Sequence, residues 1–81
     1  MDPKGNSLVA MAAAEGDVKM VKLMLSKGIN PNMQNVDGNT ALHYAVAGNY
    51  HTCVDTLIAF GMNENTQNKD GLTAWEMATN L

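Results

Sequence analysis

Arginine is absent from this chain: all five basic side chains are lysines, and against eight acidic residues they leave a net charge of -3. Without guanidinium there is no planar fork for bidentate recognition of phosphate or guanine. Nucleic acid is therefore not an expected partner, and no polybasic stretch points to a membrane surface. Cysteine is almost absent as well. A lone Cys53 excludes an internal disulfide framework and a cysteine-rich zinc site. No apolar run approaches the ~18 residues of a membrane span, the opening MDPKGNSLV lacks the apolar core of a secretory leader, and no N-x-[ST] sequon occurs. Phosphate-binding G-x-x-x-x-G-K-[ST], dinucleotide-binding G-x-G-x-x-G, H-E-x-x-H and G-x-S-x-G patterns are missing too. The expectation is a non-catalytic protein of the cytoplasm or nucleus, with no metal, cofactor or small-molecule substrate. With 81 residues it is one domain at most, residues 1–81, and a chain this short buries only roughly 60% of its unfolded surface.

What is present is a repeat. Shifting the chain by 33 residues aligns 4–36 with 37–69 without a gap. Gly5 meets Gly38, Asn6 meets Asn39, Ala12 meets Ala45, and Val21 meets Val54. Gly28 falls on Gly61, Asn30 on Asn63, Asn32 on Asn65, Gln34 on Gln67, and Asn35 on Asn68. A partial third copy, 70–81, repeats the frame D-G-x-T-A-x-x-x-A: DGNTALHYA from Asp37 becomes DGLTAWEMA from Asp70. Fixed periods in this range signal stacked supersecondary units.

Each unit reads physically. Asp-Gly favours a tight turn. Ser7, Thr40 and Thr73 follow at helix N-cap positions, and Thr73 with Glu76 has capping-box spacing. Short alanine-rich helices are predicted over Ser7–Glu15 and Thr40–Ala47, with Gly16 breaking the first. A second helix is predicted over Asp17–Lys27, with Met20, Val21, Met24 and Leu25 as its apolar face and Gly28 as its terminator. The second unit repeats the plan with Cys53, Val54, Leu57, Ile58 and Gly61; Cys53 stands in the slot of Met20. Two helices and a turn cannot bury both faces alone, so units must stack.

The period together with D-G-x-T-A-L-H-x-A, V-x-x-L-I-x-x-G and N-x-N resembles the ankyrin repeat, over about residues 4–81. The resemblance implies an all-α solenoid of two full helix-turn-helix repeats and a partial third. It also implies protruding β-hairpin-like loops and a concave first-helix face that binds other proteins. Departures are visible. Ala41 and Ala74 replace the family's usual proline, Asn49 takes a glycine position, and the first unit has Lys4, Val9 and Ala10 where Asp, Leu and His are typical. The third unit stops before a second helix, which suggests a piece of a longer array or a thin cap.

The resemblance assigns Thr40 and His43 a structural role, bonding each other and the backbone and linking one unit to the next. Thr73 and Glu76 take the corresponding place in the last copy. Met11, Tyr44 and Met77 recur at one place in the first helices. They serve either as packing between units or as an apolar ladder for a partner's helix or strand. Val36, Asp37 and Asn39 in one loop, and Lys69, Asp70 and Leu72 in the next, are expected to protrude and to contact a partner. His51 is expected in solvent at the start of its helix, and Cys53 in the core. Asn65, eight residues after Leu57, fits the spacing of asparagine hydroxylation in the family. The leading functional expectation is a protein-interaction module, monomeric or part of a longer array. The alternative is a structural segment that stacks on neighbouring repeats or on a second copy.

Overall fold

A computed structural model describes Pro3 and residues 5–79, so the expectations placed on Lys4 and on the residues after Thr79 lie outside the described residues. These residues form helices α1 (Leu8–Ala14), α2 (Val18–Ser26), α3 (Ala41–Ala47), α4 (His51–Ala59) and α5 (Ala74–Thr79), and no strand. The first helices begin at Leu8, Ala41 and Ala74, one 33-residue period apart, and the second helices at Val18 and His51 keep the same spacing.

Local chemistry sets the ends. Ser7 Oγ accepts from the Ala10 N–H at 3.2 Å, and Asp17 accepts from the Met20 N–H at 3.1 Å. Each bond satisfies one of the donors that a helix N-terminus leaves open. Between α1 and α2 the chain turns at Gly16 (φ 71), and between α3 and α4 at Asn49 (φ 62). Glycine at 16 answers two needs, since a Cβ there would also lie 2.7 Å from the Tyr50 ring.

The helices lie in two layers. α1, α3 and α5 pack side by side, α2 packs on α4, and α1 and α3 each pack on their own second helix. Ala10, Ala12, Ala13, Ala41, Ala45 and Ala74 are buried. Their small side chains let the first helices approach closely, while Val9, Val21, Leu25, Leu42, Val54, Leu57 and Met62 fill the space between layers.

One expectation changes here. Met20 is 40% exposed, although its translated copy Cys53 is fully buried. The residues are equivalent in sequence, but only Cys53 has a preceding helix pair to pack against. The loops are hairpin-like as expected, and form no strand among the described residues. Asn35 N–H donates to Asn39 O at 2.9 Å and Gly38 N–H to Asn35 O at 3.0 Å, and the pair recurs as Asn68 to Leu72 at 2.9 Å and Gly71 to Asn68 at 3.0 Å. These are tight turns with two backbone bonds, too short for strands.

Candidate functional site

The loops stand beside the first-helix layer and are held from within by one side chain each. Asn35 Oδ1 accepts from the N–H groups of Asp37 and Asn39, both at 2.9 Å. Its Nδ2 donates to Asn6 Oδ1 at 2.8 Å and to Tyr44 Oη at 2.7 Å. One buried amide thus folds its own turn, grips the preceding loop and docks the turn on α3. Asn68 repeats the clamp: it accepts from Asp70 and Leu72 at 3.0 and 3.1 Å and donates to Asn39 Oδ1 at 3.1 Å. Its last partner is the Met77 sulfur at 3.8 Å, a weaker acceptor than a hydroxyl.

Further rungs run between loops. Gln34 Nε2 donates to the Gly38 and Gln67 carbonyls at 2.9 and 3.0 Å, and Lys69 N–H donates to Asp37 O at 3.0 Å. Gly38 must lack a side chain, since a Cβ would lie 2.8 Å from Lys69 N. At the other end of the units, Asn32 Oδ1 accepts from the Asn63 N–H at 2.9 Å. The recurrence of asparagine was legible in the sequence. Its work as a clamp was not, because the bonds join residues 29 or 31 positions apart.

His43 is buried with both ring nitrogens committed. Nδ1 lies 3.1 Å from the Thr40 nitrogen and 2.9 Å from Thr40 Oγ1, and Nε2 lies 3.0 Å from Leu72 O. The Thr40 N–H can only donate, so Nδ1 is the acceptor. The neutral ring then carries its proton on Nε2 and donates it to the Leu72 carbonyl. The imidazole caps α3 and ties that unit to the next loop. In the third unit Thr73 and Glu76 form the reciprocal box, Thr73 N–H to Glu76 Oε1 at 3.1 Å and Glu76 N–H to Thr73 Oγ1 at 3.3 Å.

The candidate contact residues separate by environment. Val36, Asp37, Lys69 and Asp70 are exposed at the loop tips, Val36 by 53%. Asn39 and Leu72 are half-buried, held below the tips by the bonds to Asn68 and His43. Met11, Tyr44 and Met77 are half-buried along the first-helix row. The Tyr44 hydroxyl and the Met77 sulfur are engaged by the clamps, and all three side chains stay partly exposed. His51 is exposed at the start of α4, and Asn65 is exposed in its loop with its N–H on Asn63 Oδ1 at 2.9 Å.

Cys53 is fully buried, and burial, with a smaller push from the Asp17 carboxylate, raises its thiol pKa. Thiolate is thus scarce in the folded protein at neutral pH. Iodoacetamide at pH 7.5 is expected to modify Cys53 far more slowly in the native chain than in urea; equal rates by mass spectrometry would contradict its burial. The raised pKa also makes stability fall as pH climbs above the ordinary thiol range, since the unfolded chain ionises first.

Among the described residues no group of three or more His, Cys, Asp or Glu side chains converges as a metal site, and no helix is long and apolar enough to cross a membrane. The architecture is that of a helix-pair repeat protein, built by translation of one unit. A family model described as "Ankyrin repeats (many copies)" matches residues 9–58, more than half of the chain. The chain belongs to the ankyrin repeat family. It is 40% identical over 48 residues to the human transient receptor potential cation channel subfamily A member 1, covering 59% of this chain and 4% of the channel protein. It is 42% identical over 50 residues to an ankyrin repeat protein of Pyrobaculum aerophilum, covering 62% of this chain and 19% of that one. With an ankyrin repeat protein of Acanthamoeba polyphaga mimivirus it shares 65% identity over 26 residues, 32% of this chain and 6% of the other. The matched part therefore amounts to between 4% and 19% of the length of these relatives. Ankyrin repeats are generally protein–protein interaction modules and typically non-catalytic.

Proposed function

We propose that this chain is a non-catalytic protein-binding module whose contact surface joins the loop tips to the outward sides of the first helices. The observation that carries the reading is the internal clamping of the loops. Asn35 and Asn68 fix each turn from below, so Val36, Asp37, Lys69 and Asp70 are presented by a rigid scaffold. A binding surface ordered in advance loses little conformational entropy when a partner arrives. Val36 gives that surface an exposed apolar point, and Met11, Tyr44 and Met77 continue it along the helices. Catalysis by His43 is disfavoured because neither ring nitrogen is open to a substrate.

The double variant Val36→Ser, Lys69→Glu tests this. Both positions are exposed, so unfolding free energy is expected to stay within about 0.5 kcal/mol of the parent. Affinity capture followed by mass spectrometry is expected to show partners that the parent retains and the variant loses. Identical capture by the two proteins would sink the tip surface as the contact site.

A second reading, the chain as a segment of a longer stack, is favoured by Leu8 and Met20. They are 55% and 40% exposed, while their copies Ala41 and Cys53 are fully buried by the preceding unit. Sedimentation velocity over a wide concentration range separates stacking between copies from stacking along one polypeptide, since a constant monomer mass eliminates the former.

A further inference from the structure

Lysine is spread unevenly over this chain. Lys19 and Lys22 lie on α2, and Lys27 is its C-cap. Residues three and four apart share a helix face. Lys19, Leu23 and Lys27 therefore form one row, and Lys22 and Ser26 form the row beside it. All five are exposed, Leu23 by 49%. Val21 and Leu25 are buried on the other side of the helix, so the lysine face turns away from the first-helix layer. None of the three lysines has an ion-pair partner among the described residues. Exposure here does not depend on what precedes or follows the chain. α2 already has its following neighbour, α4. The effect of a preceding neighbour can be read from α4, which has one. There the copies of Lys19, Lys22, Ser26 and Lys27 are Thr52, Asp55, Ala59 and Phe60, and all four are exposed; Thr56, the copy of Leu23, is half-buried. Further units on either side would leave the lysines open and Leu23 in part.

We propose that this outer face of α2 is a docking site for an acidic segment of another protein, one with carboxylates for Lys19, Lys22 and Lys27 around an apolar residue for Leu23. The surface is separate from the loop tips. Charge complementarity carries the choice of partner. The whole chain has a net charge of -3, yet α2 holds no acidic residue. Glu15 and Asp17 precede it, and Asp17 is committed to the Met20 N–H at 3.1 Å. Lys19 and Lys22, three apart, are a like-charge pair that disfavours the helix; a carboxylate from a partner relieves it. α4 supplies no lysine, only His51 and Asp55, and Asp55 takes the place of Lys22. Positive charge is thus confined to a strip one helix wide and, from Lys19 to Lys27, about 12 Å long at ~1.5 Å per residue. Such a strip fits a single segment and not an anionic bilayer. A bilayer typically takes clusters of about 4–8 basic residues and would repel Asp17 and Asp55 beside it. Phe60, 43% exposed at the position that Lys27 holds one unit earlier, offers the segment a second apolar contact.

The probe is a random dodecapeptide library displayed on phage and selected on the full chain, with counter-selection on the double variant Lys19→Gln, Lys22→Gln. Both positions are exposed, so the variant is expected to melt with the parent by circular dichroism. Surviving peptides are expected to be rich in Asp and Glu around a Leu or Phe. Amide shifts from the strongest synthetic peptide are expected to centre on Lys19, Lys22, Leu23 and Lys27. Its affinity is expected to fall roughly tenfold in the double variant, the loss of two exposed ion pairs, and to weaken as salt is raised. Lys69→Gln, which removes a lysine at the loop tips, is expected to leave it unchanged. The proposal is overturned if no peptide survives counter-selection, if the survivors are not acidic, if their shifts centre on another surface, or if Lys69→Gln weakens them equally. Vesicles of phosphatidylserine and phosphatidylcholine that bind the parent and not the double variant, with no surviving peptide, would assign the strip to anionic lipid instead.

Discussion

Asn35→Ala is expected to lower the unfolding free energy by about 3 kcal/mol, one of the two largest losses expected from a single polar side chain here. The amide makes four hydrogen bonds at 2.7–2.9 Å. Removing it strands the Asp37 and Asn39 N–H groups and leaves Asn6 Oδ1 without this donor. A buried polar group left without a partner costs about 1–3 kcal/mol; water reaching the half-exposed turn recovers part of the sum. Against the ~5–15 kcal/mol typical of whole domains, the effect should be plain in urea denaturation. Asn35→Asp keeps both turn acceptors but sets a carboxylate oxygen against Asn6 Oδ1, so its loss should be intermediate. Asn68→Ala is the internal control. The same clamp there ends on a longer bond to Asn39 and on sulfur, so it should cost clearly less. Equal losses at the two positions would contradict the account of the clamp as a link between units.

His43→Leu is expected to cost about 2–3 kcal/mol. Leucine fills the space but offers no acceptor to the buried Thr40 N–H, and it leaves the half-buried Leu72 carbonyl with the Asn68 N–H alone of these two donors. His43→Gln retains an acceptor one helical turn from Thr40, in the manner of a capping box, and should fall between leucine and the parent. The loss should also have a direction. Because Nε2 holds the loop that leads into α5, Trp75 fluorescence should change at lower urea than helical circular dichroism in His43→Leu and together with it in the parent. Unchanged melting of His43→Leu would show that the ring is a filler and not a tie.

Much of this was legible from the order of the residues. The 33-residue period placed both kinds of helix, because the apolar spacing, the caps at Ser7, Thr40 and Thr73, and the glycine stops are local signals. The pairing of Thr73 with Glu76 was legible for the same reason: capping partners lie three residues apart. Where the reading went astray, the missing information was long-range. Met20 and Cys53 share a place in the repeat, yet one meets solvent and the other a helix, and nothing within either unit distinguishes them. Leu72 and Asn39 read as loop-tip residues, but bonds from units on either side draw them in. Tyr44 read as packing between units or as a rung of an apolar ladder, and nothing local shows that a residue nine positions back uses its hydroxyl.

The sequence by itself determined the unit: its period, its two helices, its turn and the family to which it belongs, since each follows from interactions spanning a few residues. Only the tertiary structure decided how units are joined and where they are open. The asparagine ladder, the doubly bonded His43 and the burial of Cys53 all depend on side chains meeting across one full period. A repeated sequence gives every unit the same local instructions. Position in the stack then settles which surfaces are core and which are left to face a partner.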